Sequence, residues 1–447
     1  MHNPARPRLA GSRALQGAAW LLAGALLLAP PLPTWAPASL SPRAADAGPD
    51  GEAPPKGKAL KDLVAEYLDA EPAARRALRR DLDARLRPLE PKEAEGLRKT
   101  LLDLARKRGP KLHKSGSSWF YEEGRGRYIA EGKPGPVLFI GLHGGGAGSG
   151  DAASSASAMG GGGWWWIHPE VLEKTEHGWT DSGTDRFVLD LVQAAKRTAK
   201  VDPDRIYITG HSMGGYGSWT LGAQHADVWA GAAPFAGAPT AYYRSPDDKT
   251  VVGIQDGILP NLYNLPLHVY QSLDDVQVTP ESNIFANQAL TELKARFPEG
   301  FTWKYVEVNG RGHAAPAEGY MPALEWLASH KRNARPRVVQ WQTSLPWKQH
   351  FYWLWWEQPE IGAWFEVRAG EDNSIDVTTI QGSGDVTGFS LFVGAPLVDL
   401  ERPVTVRVDG EQRFQGVVPR TFSTLLMTLP REDDGLLFDA RIDLDPR

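Results

Sequence analysis

A short β-like run, Arg205–Thr209, leads without a spacer into Gly210-His211-Ser212-Met213-Gly214, and Gly215, Gly217, Trp219 and Leu221 then begin a helix-like segment. No other stretch of the 447 residues limits the fold so tightly. A strand that turns at once into a helix holds the residue at the turn in a strained conformation at the sheet's C-terminal edge. Glycines two before and two after that residue are needed, because side chains there would collide with the turn. Around this unit, strand and helix alternate. Val137–Leu142 is a second β-like run, ending in His143-Gly144-Gly145-Gly146, and Phe187, Leu189, Leu191, Val192 and Ala195 mark an amphipathic helix between the two. Such alternation predicts an α/β fold with a mostly parallel sheet and helices on both faces.

A serine hydroxyl alone is a poor nucleophile and needs a histidine base and an orienting carboxylate. With a serine on this kind of turn, the chain order is serine, acid, histidine. Leu267–Tyr270 reads as a strand with Asp274-Asp275 just beyond it, and Trp303–Val308 as a strand running into Asn309-Gly310-Arg311-Gly312-His313. Positions just past strand ends are where sites in open α/β sheets form. His313 is therefore the expected base among eleven histidines. Asp275 is favoured over Asp274, since Ser272 three before it and Val278 three after match the Gly-x-x-Asp-x-x-Val spacing usual after this strand. His143 and His211 belong to the glycine turns and shape them, and His211, beside Ser212, is also assigned to the substrate-binding surface. The oxyanion formed on attack needs fixed N–H donors. Met213 is expected to supply one, and Gly144 or Gly145 the other.

Leu142–Gly146, Val201–Gly215 and Gly312-His313 resemble the α/β-hydrolase superfamily, and within it secreted polyhydroxyalkanoate-depolymerase and feruloyl-esterase-like carboxylesterases. The resemblance covers roughly 119–331. It implies a Ser-His-Asp hydrolase of the ester class that uses no metal and no cofactor. The acid strand departs from the pattern, ending Tyr270-Gln271-Ser272 where His-Gly is common.

Gly144 to Trp166 is strongly biased, with Gly160–Gly163 followed by Trp164-Trp165-Trp166. It lacks the Gly-Lys-Ser/Thr of a phosphate loop. Two readings stand: a long loop whose tryptophans pack on the sheet, or a mobile loop with Trp164 and Trp165 lining the substrate cleft. The second suits an aromatic or carbohydrate-linked ester.

The ends of the chain carry other signals. Arg6, Arg8 and Arg13, the apolar run Ala18–Ala29 and Ala-x-Ala at Ala36–Ala38 and Ala45–Ala47 describe an export signal, too short for a membrane span. The expected organisation is signal peptide and linker start over 1–47, a helical module over 56–112, an α/β-hydrolase domain over 119–333 and a β-sandwich-like domain over 336–447. In the last, Phe351–Trp356, Phe422–Leu429 and similar short runs read as strands, the tryptophans as core or a carbohydrate platform, and Glu432 as a solvated turn acid. Zero cysteines exclude disulfides, thiolate zinc sites and a cysteine nucleophile, and a net charge of −5 gives no footprint for nucleic acid. No membrane span is expected after signal cleavage. The expectation is a secreted or cell-surface serine carboxylic-ester hydrolase working through an acyl-enzyme. The alternatives are a serine peptidase of the same fold, or a surface polysaccharide-binding protein with a vestigial hydrolase core.

Overall fold

The computed structural model describes residues 51–112, 118–120, 126–145, 149–175 and 178–444; the export signal expected over 1–47 lies outside them. Helices α1 (Gly57–Asp69), α2 (Pro72–Arg85) and α3 (Pro91–Arg108) come first. Proline begins α2 and α3, where its missing N–H has no intrahelical acceptor to lose. Their apolar stripes bury Leu60, Val64, Leu82 and Leu101 in one cluster with Phe422, Leu425 and Leu426 from the far end of the chain. These helices therefore depend on the tail for much of their buried surface.

The central sheet contains β1 (Ser118–Phe120), β2 (Arg127–Glu131), β3 (Leu138–Leu142), β4 (Trp165–Pro169), β5 (Ile206–His211) and β6 (Gly231–Phe235). An antiparallel hairpin, β7 (Ala241–Ser245) and β8 (Asp248–Ile254), stands apart before β9 (Leu267–Ser272) and β10 (Trp303–Val308) complete it. The strand order is β1-β2-β4-β3-β5-β6-β9-β10. All neighbours from β4 to β10 pair in parallel, while β1 and β2 are antiparallel. Among the described residues, five helices accompany the sheet: α4 (Ala152–Met159), α5 (Thr184–Thr198), α6 (Met213–Gln224), α7 (Glu281–Arg296) and α8 (Met321–Ala328). Alternation along β3 sends Leu138, Ile140 and Leu142 into a cluster with Val188 and Leu191 of α5, and Phe139 into another with Leu324 and Leu327 of α8. Both faces are covered. This is the α/β-hydrolase arrangement that the sequence predicts.

The glycine- and tryptophan-rich segment is not a long loop. Asp151 and Ser154 form a reciprocal cap that starts α4, and Trp165 and Trp166 enter β4, 2% and 0% exposed. Trp165 pairs with Leu138 at the N-terminal end of β3, the sheet edge opposite the serine turn. Trp164 stacks on Phe139 with ring centroids 4.5 Å apart. Trp165 is thus a core residue and half-buried Trp164 packs on the sheet, so the expectation that they line the cleft is corrected. Packing these rings on the sheet outweighs leaving them free beside a substrate.

The tail forms two sheets, β11 (Val338–Gln342), β12 (His350–Phe351), β13 (Leu354–Trp356), β14 (Trp364–Ala369), β15 (Ser374–Gln381), β16 (Phe389–Val393), β17 (Val404–Val408), β18 (Glu411–Gly416) and β19 (Ala440–Asp443) supplying the strands. One sheet runs β11-β14-β15-β17-β18 and the other β12-β13-β16-β19. Trp356 of the second meets Phe365 of the first edge to face at 5.4 Å. Of the six tryptophans read as core or platform, Trp341, Trp353, Trp356 and Trp364 are buried and pack the interior, Trp355 is half-buried and Trp347 is exposed. Phe422–Leu429, read as a strand, contains α9 (Phe422–Thr428), whose first turn is capped by the Thr421 hydroxyl accepting from the Thr424 N–H. Glu432, read as solvated, is buried against Arg197.

Replacing Trp166 with Ala should cost about 3–5 kcal/mol, because the ring is wholly enclosed. Denaturant midpoints of variant and parent measure this; an unchanged midpoint would contradict the burial.

Candidate active site

Ser212 lies between β5 and α6 with φ 57° and ψ −120°, a conformation that L-residues rarely adopt. Two glycines of the motif make it possible through close approach. A Cβ on Gly210 would sit 2.4 Å from the Gly214 carbonyl oxygen, and one on Gly214 would sit 2.1 Å from that of Leu142. The Ser212 N–H donates to the Phe235 carbonyl of β6 at 2.9 Å, which ties the turn to the neighbouring strand.

The β9 and β10 ends bring up the partners. Ser212 Oγ lies 2.8 Å from His313 Nε2, and His313 Nδ1 lies 2.7 Å from Asp275 Oδ2. Asp275 is 2% exposed, and its other oxygen accepts the N–H groups of Gln277 and Val278. Gln271, the departure noted in the sequence, is fully buried. Its amide donates to the carbonyls of Ser272 and Val278, and its oxygen accepts from Asn283. It holds the acid loop from beneath.

The two adjacent aspartates do different work. Asp274 is exposed and does not reach His313; its Oδ1 accepts from the N–H groups of Gly310, Arg311 and Gly312 and from the Ser272 hydroxyl. The Ser272 hydroxyl, with the Gly312 N–H adding to it, holds the Asp274 carboxyl below the usual range. One carboxylate oxygen thus gathers the loop that carries His313. Sequence spacing separated the two residues but gave no hint of this role.

His211 was assigned to substrate, and the structure places it otherwise. Its Nε2–H donates to the His313 carbonyl at 3.1 Å, and its Nδ1 lies 3.3 Å from the Tyr320 hydroxyl. Both ring nitrogens are engaged within the protein, so the ring braces the His313 loop. Burial lowers its pKa, with nearby His313 adding to the effect, and the neutral ring suits these bonds.

Gly144 passes close to the serine: a Cβ there would lie 3.4 Å from the Ser212 Cβ. Gly145 follows with φ 81°, in the left-handed region that glycine tolerates. His143 fixes this turn. Its Nε2 accepts the Val171 N–H at 3.2 Å, which leaves Nδ1–H to donate to the Gly144 carbonyl at 2.8 Å. Trp179 Nε1–H donates to the His143 carbonyl. Met213 opens α6, so its N–H has no intrahelical acceptor. Among the described residues no group of three His, Asp or Glu is arranged to hold a metal ion, and no helix is long and apolar enough to cross a membrane.

An Esterase family profile matches residues 113–364, more than half of the chain. Poly(3-hydroxyalkanoate) depolymerase C of Paucimonas lemoignei is 40% identical over 52 residues, 12% of this chain and 13% of that protein's length. A thermostable esterase is similar in structure at 20% identity and a TM-score of 0.35, over 46% of this chain and 60% of the other. LpqC, a poly(3-hydroxybutyrate) depolymerase from Bordetella parapertussis, gives 14% identity and a TM-score of 0.34 over 45% of this chain and 85% of its own.

Removing the Asp274 carboxylate should release the loop that it anchors. Asp274→Ala should speed amide hydrogen exchange at Gly310, Arg311 and Gly312, while amides of β5 stay protected. In the parent protein the anchor persists as pH falls through about 4, the ordinary aspartate pKa. It is lost only at lower pH, because the folded carboxyl is held below that value. Unchanged exchange in the variant would remove the anchoring role.

Proposed function

Because this chain belongs to the Esterase family, we propose that it is a secreted serine carboxylic-ester hydrolase acting through Ser212, His313 and Asp275. The observation that carries this reading is the unbroken relay from Ser212 Oγ through the His313 ring to Asp275, at 2.8 and 2.7 Å. An export signal over the first residues supports the secreted location.

Each group then has a step. Ser212 Oγ attacks the ester carbonyl carbon while His313 Nε2 takes the hydroxyl proton. Asp275, accepting from His313 Nδ1–H, fixes the tautomer and stabilises the imidazolium that forms. The carbonyl oxygen becomes an oxyanion, held by the N–H of Met213 and that of Gly144 or Gly145. Collapse breaks the bond to the alcohol, which leaves with the proton from His313, and Ser212 carries the acyl group. Water, deprotonated by His313, attacks this acyl-enzyme and frees the acid. With Trp165 buried and Trp164 stacked on Phe139, nothing in their placement favours an aromatic or carbohydrate-linked ester over other esters.

Ser212→Ala should abolish p-nitrophenyl acetate hydrolysis and keep the parent's circular dichroism. Asp275→Asn should lower kcat by about 10⁴-fold, the size of effect seen when a triad carboxylate is made neutral. A folded Ser212→Ala protein that still turned over the ester would overturn the proposal. Loss of activity in Asp274→Asn as severe as in Asp275→Asn would overturn the choice of acid.

A further inference from the structure

Lys196 is a buried cation with no carboxylate in direct contact among the described residues. It lies on α5 at 8% exposure, and its Nζ donates to the Arg431 carbonyl at 2.8 Å. Among the described residues it forms no ion pair. Asp433, the carboxylate with the strongest pull on it, is held by Arg332 at 2.7 Å. A buried charge without a counter-charge is destabilising unless something supplies one.

What Lys196 faces is a cavity of about 300 Å³ between α5 and the tail. Four cations line it, Lys196, Arg332, Lys348 and Arg431, against two carboxylates, Asp227 and Asp433. Both carboxylates are taken: Asp227 is shared by Lys348 and Arg431, and Asp433 is bound by Arg332. The same wall presents polar atoms without partners. They are Gln193 Oε1, one turn before Lys196, His350 Nδ1, and both ring nitrogens of His225, which is fully buried. The nearest carboxylate oxygen to His225 Nε2, that of Asp185, is 3.6 Å away. The apolar lining includes Leu189, Val192, Val228 and Trp347. Trp347 is 36% exposed and carries the Arg186 guanidinium 4.5 Å above its ring.

We propose that this cavity binds a small organic carboxylate, its head at Lys196 and its apolar body against Val192 and Trp347. A carboxylate supplies the charge that Lys196 lacks and accepts from an N–H of the His225 ring, which has no hydrogen-bond partner among the described residues. The apolar walls favour an acid with a hydrocarbon body over inorganic phosphate. The residues involved are separate from Ser212, His313 and Asp275, so the inference does not rest on the proposed chemistry.

The test uses the full chain after treatment with a fluorophosphonate, which occupies a reactive serine. Labelling is read separately by mass, so its failure bears on Ser212 and not on the cavity. Phenylacetate is then titrated at constant ionic strength while the melting temperature is followed, with phenylacetamide and phosphate as controls. Phenylacetate should raise Tm saturably, by about 3 °C at a hundredfold excess over Kd. Phenylacetamide and phosphate should give less than a third of that rise. Lys196→Met should lose the rise and Lys196→Arg should keep it. No saturable rise, an equal rise with the amide, a larger rise with phosphate, or an undiminished rise in Lys196→Met would each overturn the proposal. The comparison of acid with amide stands on the parent protein even if Lys196→Met does not fold.

Discussion

Ser212 is held at a backbone conformation that costs about 1–3 kcal/mol in a residue with a side chain, and much of the surrounding structure serves to keep it there. β5 is flanked by β3 and β6, both parallel to it, so the strand cannot shift to relax the turn. Gly210 and Gly214 allow the backbone segments to touch. The bond from the Ser212 N–H to Phe235 fixes the exit of the turn. An oxygen held this way projects beyond the sheet edge, within reach of a histidine from β10. Strain at this one residue is offset by packing spread over the whole sheet.

The His313 loop shows how little local structure such a site needs when its anchors are fixed. It contains no regular element, and Gly310 and Gly312 both have positive φ. Asp274 gathers its N–H groups, and His211, itself bonded to Tyr320, braces it at the His313 carbonyl. Asp275, one residue from Asp274 in the chain, turns inward to the imidazole. The pair divides the work: the exposed carboxylate shapes the loop, and the buried one faces the ring. The two lie in the turn after β9, closed by the bond from the Asp275 N–H to the Ser272 carbonyl.

The tail and the N-terminal helices are not appended loosely. One continuous apolar cluster contains both Ile140 of the central sheet and Phe365 of the tail. Between them lie buried ion pairs, Arg332 with Asp433 and Lys348 with Asp227. Such pairs add little net stability compared with apolar contacts but penalise any misplaced docking, since a lost partner strands a buried charge.

The amino-acid sequence by itself determined the strand, the tight turn and the helix around Ser212, because glycine spacing and apolar period are local properties that survive without neighbours. It also placed Asp275 and His313 past strand ends in a workable order. Where it misled, the deciding contacts were distant in the chain. Trp165 and Trp166 follow a glycine run that reads as a loop, and only pairing of β4 with β2 and β3 buries them. Phe422–Leu429 is an apolar run that periodicity cannot assign; Thr421 offered a capping signal, and packing against α1 to α3 gave the helix its buried face. The roles of Asp274, Gln271 and His211 exist only in tertiary structure. A hydrogen bond needs its partner within about 3 Å, and folding alone sets which distant N–H or carbonyl arrives there.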